Sequence, residues 1–477
     1  MEDNYLYYGD NLDILGEKIA DNSIDLCYID PPFNSKRNYN QIYNNIGKED
    51  RVQTLAFVDT WEWDAAATQG MYELQSGIAG IKAADLLAGL QKVLGNGSLL
   101  AYLVSMCLRI NEIQRVLKPT GSFFLHCDPT ASHYLKLLCD CLFCSRGGEF
   151  VNEIIWRYHT GGVSKRWFAK KHDTIFWYAK SKEYLFFPER IQIARTEKSM
   201  KRAQNPIGAR ISADNNTKMP EDVFEIQALN PMAAERLGYP TQKPVALLER
   251  IIKAASNEGD VVLDCYCGGG TTIDAAQGLG RKWIGVDITY NSIALIEERL
   301  ANVYKGKAKY ILRGVPQDME SARALAERAD KTRKEFEKWA ILKYTNNKAM
   351  VNEKKGGDGG IDGRARTRDA TGWRDVLFSV KSGNYTVDMV KAFAKTIEDN
   401  KAACGFMIVM KEPTAGMKQI AAGMGSYQGA LAQPVPRLQF ALVREMLENG
   451  AVYPLPGMTA DVIKKAAERE IGQTELL

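Results

Sequence analysis

Residues 25 to 39 of this 477-residue chain read DLCYIDPPFNSKRNY. An apolar run of strand length ends on an acid, Asp30, and is followed by Pro31, Pro32, the aromatic Phe33 and a basic, tyrosine-bearing tail. Each proline fixes φ and removes a backbone donor, so the corner is stiff and its carbonyls are left to accept from a ligand. A carboxylate beside a proline carbonyl can take both protons of one amino group, and an aromatic face next to them can stack on an extracted base. An acid at the carboxyl end of a strand also stands where open α/β sheets collect ligands. Taken alone, Asp30 reads equally as a turn or helix-capping acid, common wherever Asp precedes Pro.

A second stretch, DVVLDCYCGGGTTIDAAQGLGRKWIGVDI at residues 260–288, has the pattern strand, glycine-rich turn, helix, strand. Glycines there let the backbone approach a nucleotide-like ligand, and an acid about twenty residues on, here Asp287, can hold ribose hydroxyls. CGGG is not the GxGxxG spacing of dinucleotide sites. By itself it fits a turn opening any α/β unit.

The elements that must position these residues belong to a chain longer than one hydrophobic core spans, so two or three domains are expected. Charged residues at 25% and hydrophobic ones at 45% are ordinary for a soluble globular protein. The net charge is only +4, so any affinity for nucleic acid must come from local basic patches. No apolar run reaches the length of a membrane span and the N-terminus lacks a signal-peptide pattern, which together predict a cytoplasmic protein. Nine cysteines without secretory context predict reduced thiols. Cys139, Cys141 and Cys144 lack the second ligand pair that a zinc site needs and lie in an apolar, helix-like stretch, so they are expected in packing. The histidines at 126, 133, 159 and 172 are scattered, with no ligand spacing.

The DPPF corner followed later by VLDCYCGGGTT resembles the S-adenosylmethionine-dependent DNA amino-methyltransferases, and the order, catalytic corner first and cofactor loop second, is similar to their β class. The likeness runs through most of residues 4–310. LYYGDNLDIL resembles the segment carrying an acid near the cofactor's adenine, here Asp10. VLKPTGSFFLHCD resembles the strand entered after a helix-terminating Lys-Pro, and FVNEIIWRYH with KKHDTIFWYAK resembles the strands that wall the target-base side. YPTQKPVALLERII, with Lys243, looks like the segment beside the methionine end of the cofactor, and Tyr266, Gly268 and Gly270 fit the aromatic-x-Gly-x-Gly form of its loop, with Asp264 just before them.

The resemblance implies a Rossmann-like α/β methyltransferase sheet in permuted motif order over residues 1–312, with S-adenosylmethionine as cofactor and double-stranded DNA as partner. Asp30 and Pro31 would hold the exocyclic amine of a flipped base, Pro32 would stiffen the corner and Phe33 would stack on the base. A leading Asp goes more often with adenine N6 in this family and a leading Ser with cytosine N4, although the chemistry alone permits either amine. An RNA or protein substrate, or a non-catalytic DNA-binding scaffold, is the alternative. Residues 186–238 are expected to carry target recognition, through Arg190, Arg195, Lys198, Lys201, Arg202 and Arg210. Basic and aromatic residues also interleave in NSKRNYNQIYNN and SKRWFAKKH, the combination expected where backbone contact and base stacking coincide.

Residues 313–335 are charged, alanine-rich and read as a helical connector. From 336 to 457 the chain is similar to Mrr-type restriction endonuclease domains, a smaller α/β unit of the PD-(D/E)xK fold, and residues 458–477 form a tail. Asp362 and Lys381 match the first and last positions of that signature. Ser379 stands where an acid or Gln is expected, and a hydroxyl is a weaker Mg²⁺ ligand than a carboxylate. Glu337 could supply the missing charge or be a solvated helix acid. The domain is then either a working nuclease, with Mg²⁺, or a docking module for the methyltransferase, and a homodimer or a separate restriction subunit is compatible with both.

Overall fold

The computed structural model describes residues 3–32, 37–42, 53–59, 61–159, 163–197, 200, 217–230, 233, 235–237, 239, 241–327, 334–352, 360–369, 372–428 and 434–450. Nine strands form the main sheet: β1 Tyr5–Tyr8, β2 Ile24–Ile29, β3 Leu117–Cys127, β4 Glu149–Arg157, β5 His172–Ala179, β6 Val223–Glu225, β7 Val261–Asp264, β8 Lys282–Asp287 and β9 Ile311–Arg313. Their spatial order is β6-β4-β5-β3-β2-β7-β8-β1-β9. Only β5 runs against its neighbours β3 and β4; every other pairing in the sheet is parallel. Strand β2, IDLCYI, is buried at all six positions, as expected of a parallel strand covered on both faces.

Each face carries its own helices. One is packed by Val245–Ala255, Thr271–Gly278 and Tyr290–Tyr304, the other by Asn11–Lys18, Ala65–Gln75, Ile81–Leu94, Ser98–Val116 and Ser132–Leu142. Of the three cysteines expected in packing, Cys139 is fully buried on the last of these, Cys141 is half-buried and Cys144, in the turn that follows, is exposed. The pairing that matters for function is β2 with β7, where Leu26 faces Val262 and Cys27 faces Leu263. From β2 the chain runs to one side of the sheet, and from β7 to the other. The strand order therefore reverses between these two, and a crevice opens beyond their carboxyl ends.

A second sheet has the order β10-β11-β12-β13-β14, with β10 Met350–Val351, β11 Gly363–Asp369, β12 Gly372–Lys381, β13 Cys404–Val409 and β14 Leu438–Leu442. Its first three strands are antiparallel and the rest parallel. Helices Val387–Asp399 and Ala415–Gly423 share one apolar cluster with it. Helix Glu335–Thr345 belongs to the other cluster, and its Phe336, Trp339 and Ala340 continue the apolar core that holds Tyr290 and Ile293 of the first domain. This helix is part of the packed interface between the two domains. Within the segment expected as a connector, the described residues include helix Met319–Glu327, following β9, and residues 451–477 lie outside the described residues.

Candidate active site

Because β2 and β7 are neighbours, Asp30 and the glycine loop, more than two hundred residues apart in sequence, line one cavity of about 500 Å³. Asp30, Pro31 and Pro32 form one wall, and Asp264, Tyr266, Cys267, Gly268 and Gly269 form another. Phe33 lies outside the described residues. The Asp30 carboxylate divides its oxygens. Oδ2 pairs with the Lys243 ammonium, whereas Oδ1 is buried and has no hydrogen-bond partner among the described residues. A buried, unsatisfied carboxylate oxygen is costly, so one on a residue that lines a cavity marks a place where a donor from a ligand belongs. Lys243, expected beside the cofactor, lines the same cavity but spends its charge on Asp30.

Behind the corner stands a polar chain that its scattered residues do not announce. The Tyr28 hydroxyl meets His126 Nδ1 at 2.8 Å, His126 Nε2 meets Asp173 Oδ2 at 3.1 Å, and the Tyr158 hydroxyl donates to Asp173 Oδ1 at 3.2 Å. His126 is fully buried, and burial pushes the Tyr28 hydroxyl far above its ordinary range. These bonds tie β2, β3 and β5 together two residues before Asp30 and leave the corner little freedom to shift.

The glycine loop is shaped by close approach. A Cβ on Gly268 would come within 3.0 Å of the Tyr239 ring, and Gly268 already has φ +46. Gly270, expected to face the cofactor, does not line the cavity. It caps helix Thr271–Gly278 at φ +74, where a Cβ would lie 2.7 Å from Ile296 Cγ1, so its role is packing. Asp287 accepts from the Gly268 amide at 2.9 Å and from the Thr289 amide and hydroxyl at 2.9 and 3.0 Å. It thus pins the loop to the end of β8 while facing the cavity. Burial raises the Asp287 carboxyl, and it pushes Asp264 up to about 7 against hydrogen bonds from Thr272 and the Tyr266 amide.

Asp10 caps helix Asn11–Lys18 through the Leu12 amide and accepts from Arg109 at 3.1 and 3.2 Å. Arg109 also donates to Asn11 Oδ1, and Asn11 donates to the Cys265 carbonyl at 2.7 Å. Neither Arg109 nor Asn11 stands out in the sequence, because each acquires its role only when the helix Ser98–Val116 meets the start of helix Asn11–Lys18, which in turn reaches the end of β7. The donors and cradle fit S-adenosylmethionine: glycines where side chains would fill the space, carboxylates able to accept ribose hydroxyls and offset a cationic ligand, and a mostly apolar wall.

The target-recognition expectations divide. Arg190 donates to the Ser256 carbonyl at 3.0 Å and to Asn257 Oδ1 at 3.1 Å and covers the Phe187 ring, so it is a packing residue and not a free DNA contact. Lys198, Lys201, Arg202 and Arg210 lie outside the described residues, whereas Arg195 lies within them. In the turn between β4 and β5, Trp167 and Phe168 are 65% and 99% exposed beside the exposed Lys165, Arg166 and Lys170. That turn leaves the same sheet edge that carries Asp30, since β4 runs in the direction of β2.

In the second domain the expected signature is assembled at one sheet end. Asp362 Oδ2 accepts from the Val380 amide at 2.7 Å and the Ser379 hydroxyl at 3.4 Å, and Lys381 Nζ lies 3.8 Å from it. Ser379, 1% exposed, also accepts from Lys381 at 3.0 Å. Glu337 forms an ion pair with Lys334 at 3.9 Å. The described residues contain no group of three or more His, Cys, Asp or Glu able to hold a metal. One carboxylate, a hydroxyl and an ammonium do not fit Mg²⁺.

Similarity to known proteins follows the same division. Residues 24–298 match the DNA methylase family and residues 329–428 match a restriction endonuclease family. The chain is 34% identical over 199 residues to the type II methyltransferase M.HpaI of Haemophilus parainfluenzae, covering 41% of this chain and 59% of that protein. It is 28% identical over 297 residues to the DNA adenine methyltransferase YhdJ of Escherichia coli strain K12, covering 62% of this chain and 82% of that one. Among solved structures, the cytosine-N4-specific PvuII DNA methyltransferase aligns at a TM-score of 0.40 and 16% identity, over 62% of this chain and 86% of that chain. The chain spans about three-fifths of M.HpaI, while the family match alone takes in more than half of its own residues. On that match the chain belongs to the DNA methylase family.

Proposed function

We propose that the protein transfers a methyl group from S-adenosylmethionine to adenine N6 in duplex DNA, in a restriction-modification setting. The observation that carries this reading is Asp30 Oδ1, a buried acceptor with no partner among the described residues, on a residue that lines the same cavity as the glycine loop. When bound, S-adenosylmethionine supplies a methyl group made electrophilic by its sulfonium. The protein's part is to hold the amine. Asp30 Oδ1 and the Pro31 carbonyl accept its two protons, which localises the nitrogen lone pair and places negative charge where the transition state develops positive charge. Lys243, already bonded to Oδ2, keeps the carboxylate from rotating. Phe33, next in sequence, is the proposed stacking face, offsetting part of the few kcal/mol needed to extract a base.

The carboxylates Asp10, Asp264 and Asp287 would hold the cofactor, with Asp287 toward the ribose. Access for duplex DNA is supported by the exposed Trp167 and Phe168 among basic residues at the same sheet edge. The adenine assignment rests on the leading Asp of the corner and on the similarity to the DNA adenine methyltransferase YhdJ.

The test separates binding from transfer. Asp30→Ala should bind S-adenosylmethionine within about twofold of wild type by calorimetry, yet lose methyl transfer to unmethylated duplex DNA by about 10³-fold or more. Loss of cofactor binding in the same variant would remove Asp30 from the base-holding role.

A further inference from the structure

Two lysines of the second domain line the cofactor cavity. Lys334 and Lys338, each 7% exposed, share its wall with Gly9, Asp287 and Thr289. They flank Glu335, whose Oε2 accepts from the Tyr8 hydroxyl at 2.9 Å and the Tyr290 amide at 3.1 Å, and whose Oε1 accepts from Lys338 at 2.9 Å. Helix Glu335–Thr345 is therefore fastened to the end of β1 and to the first turn of helix Tyr290–Tyr304, one residue beyond the Thr289 that holds Asp287. This attachment lies beside Asp287, the acid proposed for the ribose.

The same helix start leads the other way as well. Lys334 Nζ donates to the Asn352 carbonyl at 2.7 Å, the Asn352 amide donates to the Asp362 carbonyl at 2.7 Å, and the Asn352 side chain donates to the Ile361 carbonyl at 3.2 Å. One lysine thus touches both the cavity wall and the backbone that presents the endonuclease-like acid.

We propose that the C-terminal domain completes the cofactor site, with Lys334 and Lys338 donating to the ring-nitrogen and hydroxyl acceptors of the bound nucleoside, and that occupancy of the cavity steadies the hydrogen bonds joining Lys334, Asn352 and Asp362. This rests on the cofactor assignment under Proposed function. An ammonium offers three donors and no acceptor, so it suits the ring nitrogens and hydroxyls of the nucleoside, and the attachment of this helix beside Thr289 and Asp287 favours that half over the methionine carboxylate. Burial of two ammonium groups at a cavity wall is costly where only the protein benefits, and a ligand that accepts from them recovers part of that cost.

Two readouts on the full chain decide it. Hydrogen–deuterium exchange, with and without S-adenosylmethionine, should show cofactor-dependent protection across residues 334–352 and 360–364. Calorimetric titration should show Kd raised about tenfold by Lys338→Met and by Lys334→Met, with Lys338→Arg recovering most of the loss. Wild type that binds the cofactor with no change in exchange over 334–352, beside Met variants within about twofold of its Kd, would overturn the inference while leaving the cofactor assignment standing. Wild type that does not bind S-adenosylmethionine would overturn the assignment itself, and this inference with it. Should a Met variant not fold, the exchange of the wild type alone decides between these outcomes.

Discussion

The two sheets of this molecule each end in an acid beside a lysine, and the two pairs stand in different surroundings. At the first, Asp30 keeps one oxygen on Lys243, leaves the other buried without a partner among the described residues, and lines a cavity shared with the glycine loop. At the second, Asp362 Oδ2 is taken by the Val380 amide and Ser379 hydroxyl, with Lys381 at 3.8 Å. In both, one carboxylate oxygen is engaged; the first stands beside a ligand-sized cavity, whereas the second has the hydroxyl of Ser379 where a metal would need another acid. An acid and a lysine in proximity therefore say little; the groups placed around the carboxylate decide the chemistry.

The largest effect expected from this contrast is a gain. Ser379→Glu restores the second carboxylate, and Mn²⁺-dependent nicking of supercoiled plasmid should rise by about 10²-fold or more over wild type. A wild type that already nicks efficiently, and is not improved, would show that the missing acid does not separate the two sites.

Next in size is the Asp30–Lys243 pair. Lys243→Met leaves a buried carboxylate without its cation and should destabilise the protein by about 3 kcal/mol, most of it recovered when Asp30→Asn is added. Denaturant unfolding of the two singles and the double measures this coupling. Additive losses would mean that the pair is not held as described.

A smaller loss is expected at the cofactor loop. Gly270→Ala places a Cβ against Ile296 at a positive φ and should cost about 2 kcal/mol, read as a lowered Tm, with cofactor affinity changed only indirectly.

The smallest effect concerns pH. Asp264 is raised to about 7 by burial, so the folded protein retains a proton there that the unfolded chain has released. That contribution to stability is fully present on the acid side of the unfolded value and is lost as pH rises through about 7. Between about pH 6 and 8 the cofactor-free protein should lose about 1 kcal/mol from this group, and Asp264→Asn should flatten that part of the profile.

The parts legible in the sequence are those in which chemistry is contiguous. Asp30 to Pro32, the turn from Asp264 to Gly269 and the acid Asp287 each sit within a short run whose pattern also fixes the strand beneath it. The signature Asp362, Ser379 and Lys381 is nearly as compact, because a hairpin and its alternation bring the three together. Roles that arise from tertiary meeting stayed hidden. Arg109 is one of many helix arginines until it reaches Asp10, and His126 looks isolated until β3 lies between β2 and β5. Lys334 and Lys338 face the cavity only because helix Glu335–Thr345 docks on another domain. Conversely, Gly270 and Arg190 carry the right residue types for binding and are occupied by packing. Residue type states what a side chain can do, and the fold determines what is left for it to meet.

The most direct test of the central claim is to supply labelled S-adenosylmethionine and duplex DNA from a methylation-free host, digest the DNA and identify the labelled nucleoside by mass spectrometry. The account predicts N6-methyladenine as the product, absent with Asp30→Ala. DNA that acquires no methylated nucleoside from a wild-type protein that binds the cofactor would contradict it.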